Sequence, residues 1–203
     1  MALVNLNPAH DKAKVEFSRS VPDKMAENSG VKYHSDSCTF KISFLGRDYT
    51  VSHPDGNVES VDGGSVPLEN KVCILHYLTN ASGAGVMGKH ISFSELPSGF
   101  IYVTPFTNRC IRPLVSIFGR DPQKLIEAGE MLGGTREKLG DYAVTVPVFS
   151  KIPVTFVLWE GDDEFPPGGN VVFDASAPEH LETEDYALLP GLAVFTMKKL
   201  AGL

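Results

Sequence analysis

Nine carboxylates crowd the stretch between Ile152 and Met197: Glu160, Asp162, Asp163, Glu164, Asp174, Glu179, Glu182, Glu184 and Asp185, with no lysine or arginine among them. Carboxylate oxygens are hard donors, and a set converging from separate elements is what a divalent cation takes. Asp162 and Glu164 follow one apolar run, Asp174 ends another, and Glu184 opens the last helical stretch. These four are the candidate metal set, with a divalent cation as occupant and His180 as an optional nitrogen donor. Their spacing fits no EF-hand loop, and the same acids suit a solvated face, Glu184 and Asp185 also complementing a helix dipole.

Three further groups have the chemistry to bind. Trp159, the one tryptophan, stands beside the acidic stretch, where an indole can stack on a ring ligand or complete a core. Arg109 and Arg112 lie three apart on a helix face and, with Arg120 and Lys124, can hold an anion or pair with the acids. His76 follows Cys73 at a spacing that permits a thiol–imidazole pair, though equally a packed thiol beside a half-buried ring. Trp159, Arg109, Arg112 and His76 are the candidate ligand-binding residues. No G-x-S-x-G, H-E-x-x-H or P-loop occurs. Gly83, Gly85 and Gly88 spell G-x-G-x-x-G, yet no acid follows at the position a ribose would need, so the reading here is a flexible loop and no nucleotide motif.

A net charge of -7 argues against nucleic acid and against an anionic membrane face, both of which call for surplus Lys and Arg. The negative field belongs to the one acidic segment, the rest being close to neutral. Cys38, Cys73 and Cys110 form no C-x-x-C pair, so neither a disulfide framework nor a cysteine metal set is supported. The first residues hold no basic-then-apolar leader and no apolar run reaches a membrane span, so the expected location is cytoplasmic.

The elements that must position these groups follow from periodicity and punctuation. A polar helical stretch from Asn7-Pro8, broken near Pro22 and stopped by Gly30, reads as a surface arm over 1–30, followed by a single domain over 31–203. Cys38, Phe40, Ile42 and Phe44 alternate with polar residues, Gly46-Arg47 turns the chain, and Tyr49 and Val51 continue the pattern: a hairpin. Val72–Leu78 reads as a short helix, Ile91–Phe93 as extended, and Phe100–Val103 as a strand. Thr104-Pro105 opens a helix that Gly119 closes, and Asp121-Pro122 opens another that ends at Gly133-Gly134. Val144–Val148 and Ile152–Leu158 alternate about Ser150-Lys151, with Pro147 and Pro153 demanding an edge or a bulge. Val171–Phe173 pairs again, and a helix from Thr183, restarted at Pro190, ends the chain. Strands in hairpins and helices in runs define an α+β class, with an antiparallel sheet and helices packed on one side.

The stretch Val157-Leu158-Trp159-Glu160-Gly161-Asp162-Asp163-Glu164-Phe165-Pro166, with Val172-Phe173-Asp174 and Leu181-Glu182-Thr183-Glu184-Asp185, resembles the prokaryotic family described as domain of unknown function 3786. Ile74–Leu78, Ile91–Pro97 and Leu132-Gly133-Gly134 agree, so the likeness runs from about Gly30 to the end. The resemblance carries no activity and no named functional residues. It implies a setting, because some members are joined to a four-cysteine iron–sulfur domain of the kind found in corrinoid proteins of anaerobic one-carbon metabolism. The leading expectation is a binding or accessory domain that partners an iron–sulfur or corrinoid protein. The alternative is a metal-dependent, hydrolase-like enzyme using the acidic loop 160–185.

Overall fold

In the computed structural model, which describes residues 6–203, the alternation at Phe40, Ile42 and Phe44 becomes a strand whose apolar side chains are all buried. The described chain divides into two compact units, one running to Ala84 and including Glu179–Leu181, the other holding Gly85–Pro178 and Glu182–Leu203. The division expected at residue 30 falls inside the first unit.

The first unit starts with helices α1 (Asn7–Arg19) and α2 (Pro22–Ser29). Their polar composition predicts a surface arm, yet α1 buries Ala13 and Phe17, the latter edge-on to Phe40 at 5.8 Å. A few well-spaced apolar residues are enough to seat a helix whose average is polar. Gly30, at φ 69°, closes α2 in the left-handed conformation. Strands β1 (Lys32–His34), β2 (Thr39–Phe44), β3 (Arg47–Ser52) and β4 (Asn57–Ser60) form an antiparallel sheet in sequential order. The β2–β3 turn is Leu45-Gly46, one residue earlier than the sequence suggests, with both residues at positive φ as a two-residue hairpin turn needs. Helix α3 (Leu68–Asn80) packs on α1 and α2, and its Tyr77 hydroxyl donates to the Ser29 carbonyl at 2.8 Å.

The second unit opens with β5 (His90–Ser92) and then α4 (Gly99–Phe106), which overturns the strand expected over Phe100–Val103. The run Phe100–Val103 is apolar but largely solvent-exposed, and Pro105, read as a helix start, lies inside the helix. Just beyond it the helix widens into a π turn, Thr107–Ile111, before α5 (Arg112–Phe118). Pro105 removes a donor from the helical ladder, and the wider turn that follows is a known way for a helix to absorb such an irregularity. Helix α6 (Gln123–Met131) leads to β6 (Thr135–Arg136), β7 (Tyr142–Phe149), β8 (Ile152–Trp159) and β9 (Gly168–Asp174), then α7 (Thr183–Tyr186) and α8 (Leu189–Leu200).

These strands form a second antiparallel sheet in the order β5-β9-β8-β7-β6. Pro147 and Pro153 face one another beside a register shift between Pro147 and Phe149, so the prolines are accommodated by a bulge. One sheet face carries Val144, Val146, Val154, Phe156, Leu158, Val171 and Phe173, all buried. Helices α5 and α6 approach that face closely: a Cβ on Gly129 would lie 2.6 Å from Val144, and one on Gly169 2.7 Å from Val115. The alternate positions Thr145, Thr155, Val172, Asp174 and His90 share the opposite face by strand register. The class is thus α+β as expected, with two sheets in place of one. Among the described residues no helix is long and apolar enough to cross a membrane.

Candidate functional site

The face of the five-stranded sheet away from the helices bounds a cavity of about 230 Å³, lined by Val86, Gly88, His90, Glu137, Thr145, Pro153, Thr155 and Asp174. Strand register explains the set. Thr145 opposes Thr155 across β7 and β8, His90 opposes Asp174 across β5 and β9, and Glu137 follows directly on β6.

Asp174 is 5% exposed, and its carboxylate is fully engaged. Oδ1 accepts from the Met87 N–H (2.9 Å), the Ser176 N–H (2.9 Å) and the Ser176 hydroxyl (2.6 Å); Oδ2 accepts from the Gly88 N–H (2.7 Å). Burial works against the charge, yet these donors outweigh it and hold the carboxyl below its ordinary range. The G-x-G-x-x-G segment does present backbone donors to an anion, and that anion is the chain's own Asp174. Asp174 is therefore the tether that fixes Val86 and Gly88 as one wall of the cavity.

A line of hydrogen bonds crosses the floor. Thr145 Oγ1 donates to Glu137 Oε1 at 3.2 Å, Thr145 and Thr155 hydroxyls are 2.7 Å apart, and Thr155 Oγ1 lies 3.4 Å from His90 Nε2. The carboxylate sets the direction of every hydrogen, because it can only accept. Thr145 spends its single hydrogen on Glu137, so Thr155 must donate to Thr145, and His90 Nε2–H must donate to Thr155. His90 is thereby placed in the Nε2-protonated form. Thr155 is 2% exposed, so its hydroxyl needs both partners.

The residues singled out from sequence are dispersed. Among the described residues no group of three or more His, Cys, Asp or Glu is gathered to hold a metal ion. Asp162 instead caps its own loop, accepting from the N–H groups of Glu164 (2.8 Å) and Phe165 (2.7 Å), which lower its pKa. Glu164 is exposed on that loop, and exposed Glu184 accepts from the Tyr102 hydroxyl. Of the four only Asp174 lines the cavity. Trp159 ends β8, 43% exposed and opposite Gly168, outside the cavity lining. Arg109 lies in the π turn and exposed Arg112 opens α5; neither forms an ion pair among the described residues, so the pairing of these two with the acidic segment is not formed. His76 lies on α3 in the first unit.

His90, Glu137, Thr145 and Thr155 escaped the sequence reading. The available signal was a lone threonine in each of two otherwise apolar strands, a polar side chain that β-propensity alone explains. The fold and this cavity define an α+β chain whose second unit buries one face of its sheet and keeps a polar site on the other. The chain belongs to the family described as Domain of unknown function (DUF3786), whose model matches residues 21–196. No curated protein and no solved structure matches it.

Proposed function

We propose that this chain is a binding domain that takes a small polar ligand on the outer face of its five-stranded sheet. The observation that carries this reading is the hydrogen-bond line Glu137–Thr145–Thr155–His90 along the floor of the cavity. A few polar side chains fixed in orientation by one another, set beside apolar Val86 and Pro153 in a concave space, supply the orienting groups that a small-ligand site needs. The accessory role implied by the family resemblance, beside an iron–sulfur or corrinoid protein, is then to hold that ligand for its partner.

The test uses amide NMR spectra of the full chain with three small probes at millimolar concentration: ethylammonium, acetate and ethanol. At least one should shift the His90, Thr145 and Thr155 amides saturably, and Thr155→Val, which keeps side-chain shape but breaks the line, should abolish the response. Three probes that all leave those amides unmoved, or a variant that binds as the wild type does, would refute the proposal.

A further inference from the structure

The hydrogens of the cavity floor are all spoken for. Thr145 gives its hydrogen to Glu137, Thr155 to Thr145, and His90 Nε2–H to Thr155. In the wall, the Met87 and Gly88 N–H groups are given to Asp174. What the threonine hydroxyls and Glu137 leave for an occupant is acceptors. Glu137 Oε2 receives no hydrogen bond among the described residues, and the Thr145 and Thr155 hydroxyl oxygens each accept once and keep a lone pair. The charged side chains of the lining are Glu137 and Asp174, with no lysine or arginine among them. Asp174 is already surrounded by four donors, so the unmet negative charge is that of part-buried Glu137.

We infer that the site selects a small organic cation bearing a primary ammonium group, which docks on Glu137. An ammonium carries three donors, no acceptor and the opposite charge, and so matches both the donor deficit and the field. A carboxylate ligand would face Glu137 with like charge and find the threonine hydroxyl hydrogens occupied. Val86 and Pro153 supply an apolar wall for a short alkyl tail. At roughly 30 Å³ per displaced water, the cavity admits a molecule equivalent to about eight waters. The occupant is therefore a small amine of about eight non-hydrogen atoms or fewer.

This inference rests on the ligand-binding reading, and the ranking of the same probes separates the two. Ethylammonium should bind at the His90, Thr145 and Thr155 amides at least tenfold more tightly than ethanol, with acetate weaker still. Glu137→Gln, which keeps the acceptor for Thr145 but removes the charge, should weaken ethylammonium by about tenfold or more. Glu137→Asp, which withdraws the carboxylate by one methylene, should fall between. Acetate or ethanol matching ethylammonium at these amides would overturn the amine class and leave the binding site standing. Unchanged ethylammonium affinity in Glu137→Gln would overturn the role of Glu137. No response to any probe would remove the binding reading itself, and this inference with it.

Discussion

Replacing Asp174 by Asn exchanges one carboxylate oxygen for an NH₂ group and removes the charge at the most heavily bonded side chain of the cavity. The amide oxygen can still accept from Ser176 and Met87, but the new NH₂ must face the Gly88 N–H, which now donates to Oδ2 at 2.7 Å. A buried donor left without an acceptor costs about 1–3 kcal/mol, and the remaining bonds lose their charge-assisted strength, so the total is roughly 2–4 kcal/mol. For a chain of this size that corresponds to a fall of roughly 5–15 °C in Tm. Because the folded-state pKa of Asp174 is lowered, its stabilisation is fully present above the ordinary unfolded value near ~3.9 and is lost as pH falls from there through the folded one. The wild type should thus lose stability on the acid side over a range where Asp174→Asn shows a flatter slope. The decisive assay is amide hydrogen exchange, which should accelerate at Met87 and Gly88 in the variant while α6 keeps its protection. Unchanged exchange at Met87 and Gly88, or a stability loss below about 0.5 kcal/mol, would refute the tether.

Two further outcomes follow from the packing. Burial pushes the Cys110 thiol up to about 12, and Cys73 is also buried, whereas Cys38 is exposed. Native protein at pH 8 should give one fast equivalent in a thiol-labelling assay and three after denaturation; two fast equivalents would contradict the burial. Gly129→Ala gains helix propensity of up to ~1 kcal/mol but drives a Cβ to within 2.6 Å of Val144, an overpacking cost of about 1–3 kcal/mol. Calorimetry should therefore show a lower Tm, and a higher one would show that α6 can move away from β7.

The sheets were legible because Phe40, Ile42 and Phe44, and again Val154, Phe156 and Leu158, alternate with a period of two that only a strand can satisfy. Phe100–Val103 misled because its residues are apolar and β-prone while its fate is an exposed helix, with Gly99 packed against the Phe93 carbonyl. The cavity was hidden by a single residue. A hairpin closed at Ser150-Lys151 with Phe149 opposite Ile152 would, without interruption, set Thr145 opposite Phe156. The bulge beyond Pro147 shifts the register by one and sets Thr145 opposite Thr155 instead, bringing the two hydroxyls to 2.7 Å. Prolines at 147 and 153 announce a bulge, but not which strand takes the extra residue. The acidic stretch misled for a different reason: carboxylates near in sequence were satisfied separately, Asp162 by its own loop and Asp174 by a distant one.

The lengths of the strands in the second sheet bear on how the molecule avoids its own kind. The eight-residue β7 and β8 and the seven-residue β9 are the long, valine-bearing strands of this sheet, and β7 and β8 each carry a proline that works against fibrillar stacking. All three are interior, and the open rims are the three residues of β5 and the two of β6. Those short rims cover only Val144–Thr145 of β7 and Val172–Asp174 of β9, so a neighbouring chain finds 146–149 and 168–171 without a strand beside them on that side. Along the uncovered part of β7 the ladder is interrupted by Pro147, which has no N–H to donate, and by the bulge beside it, so resistance to cross-β growth there rests on a proline and a bulge in place of a covering strand.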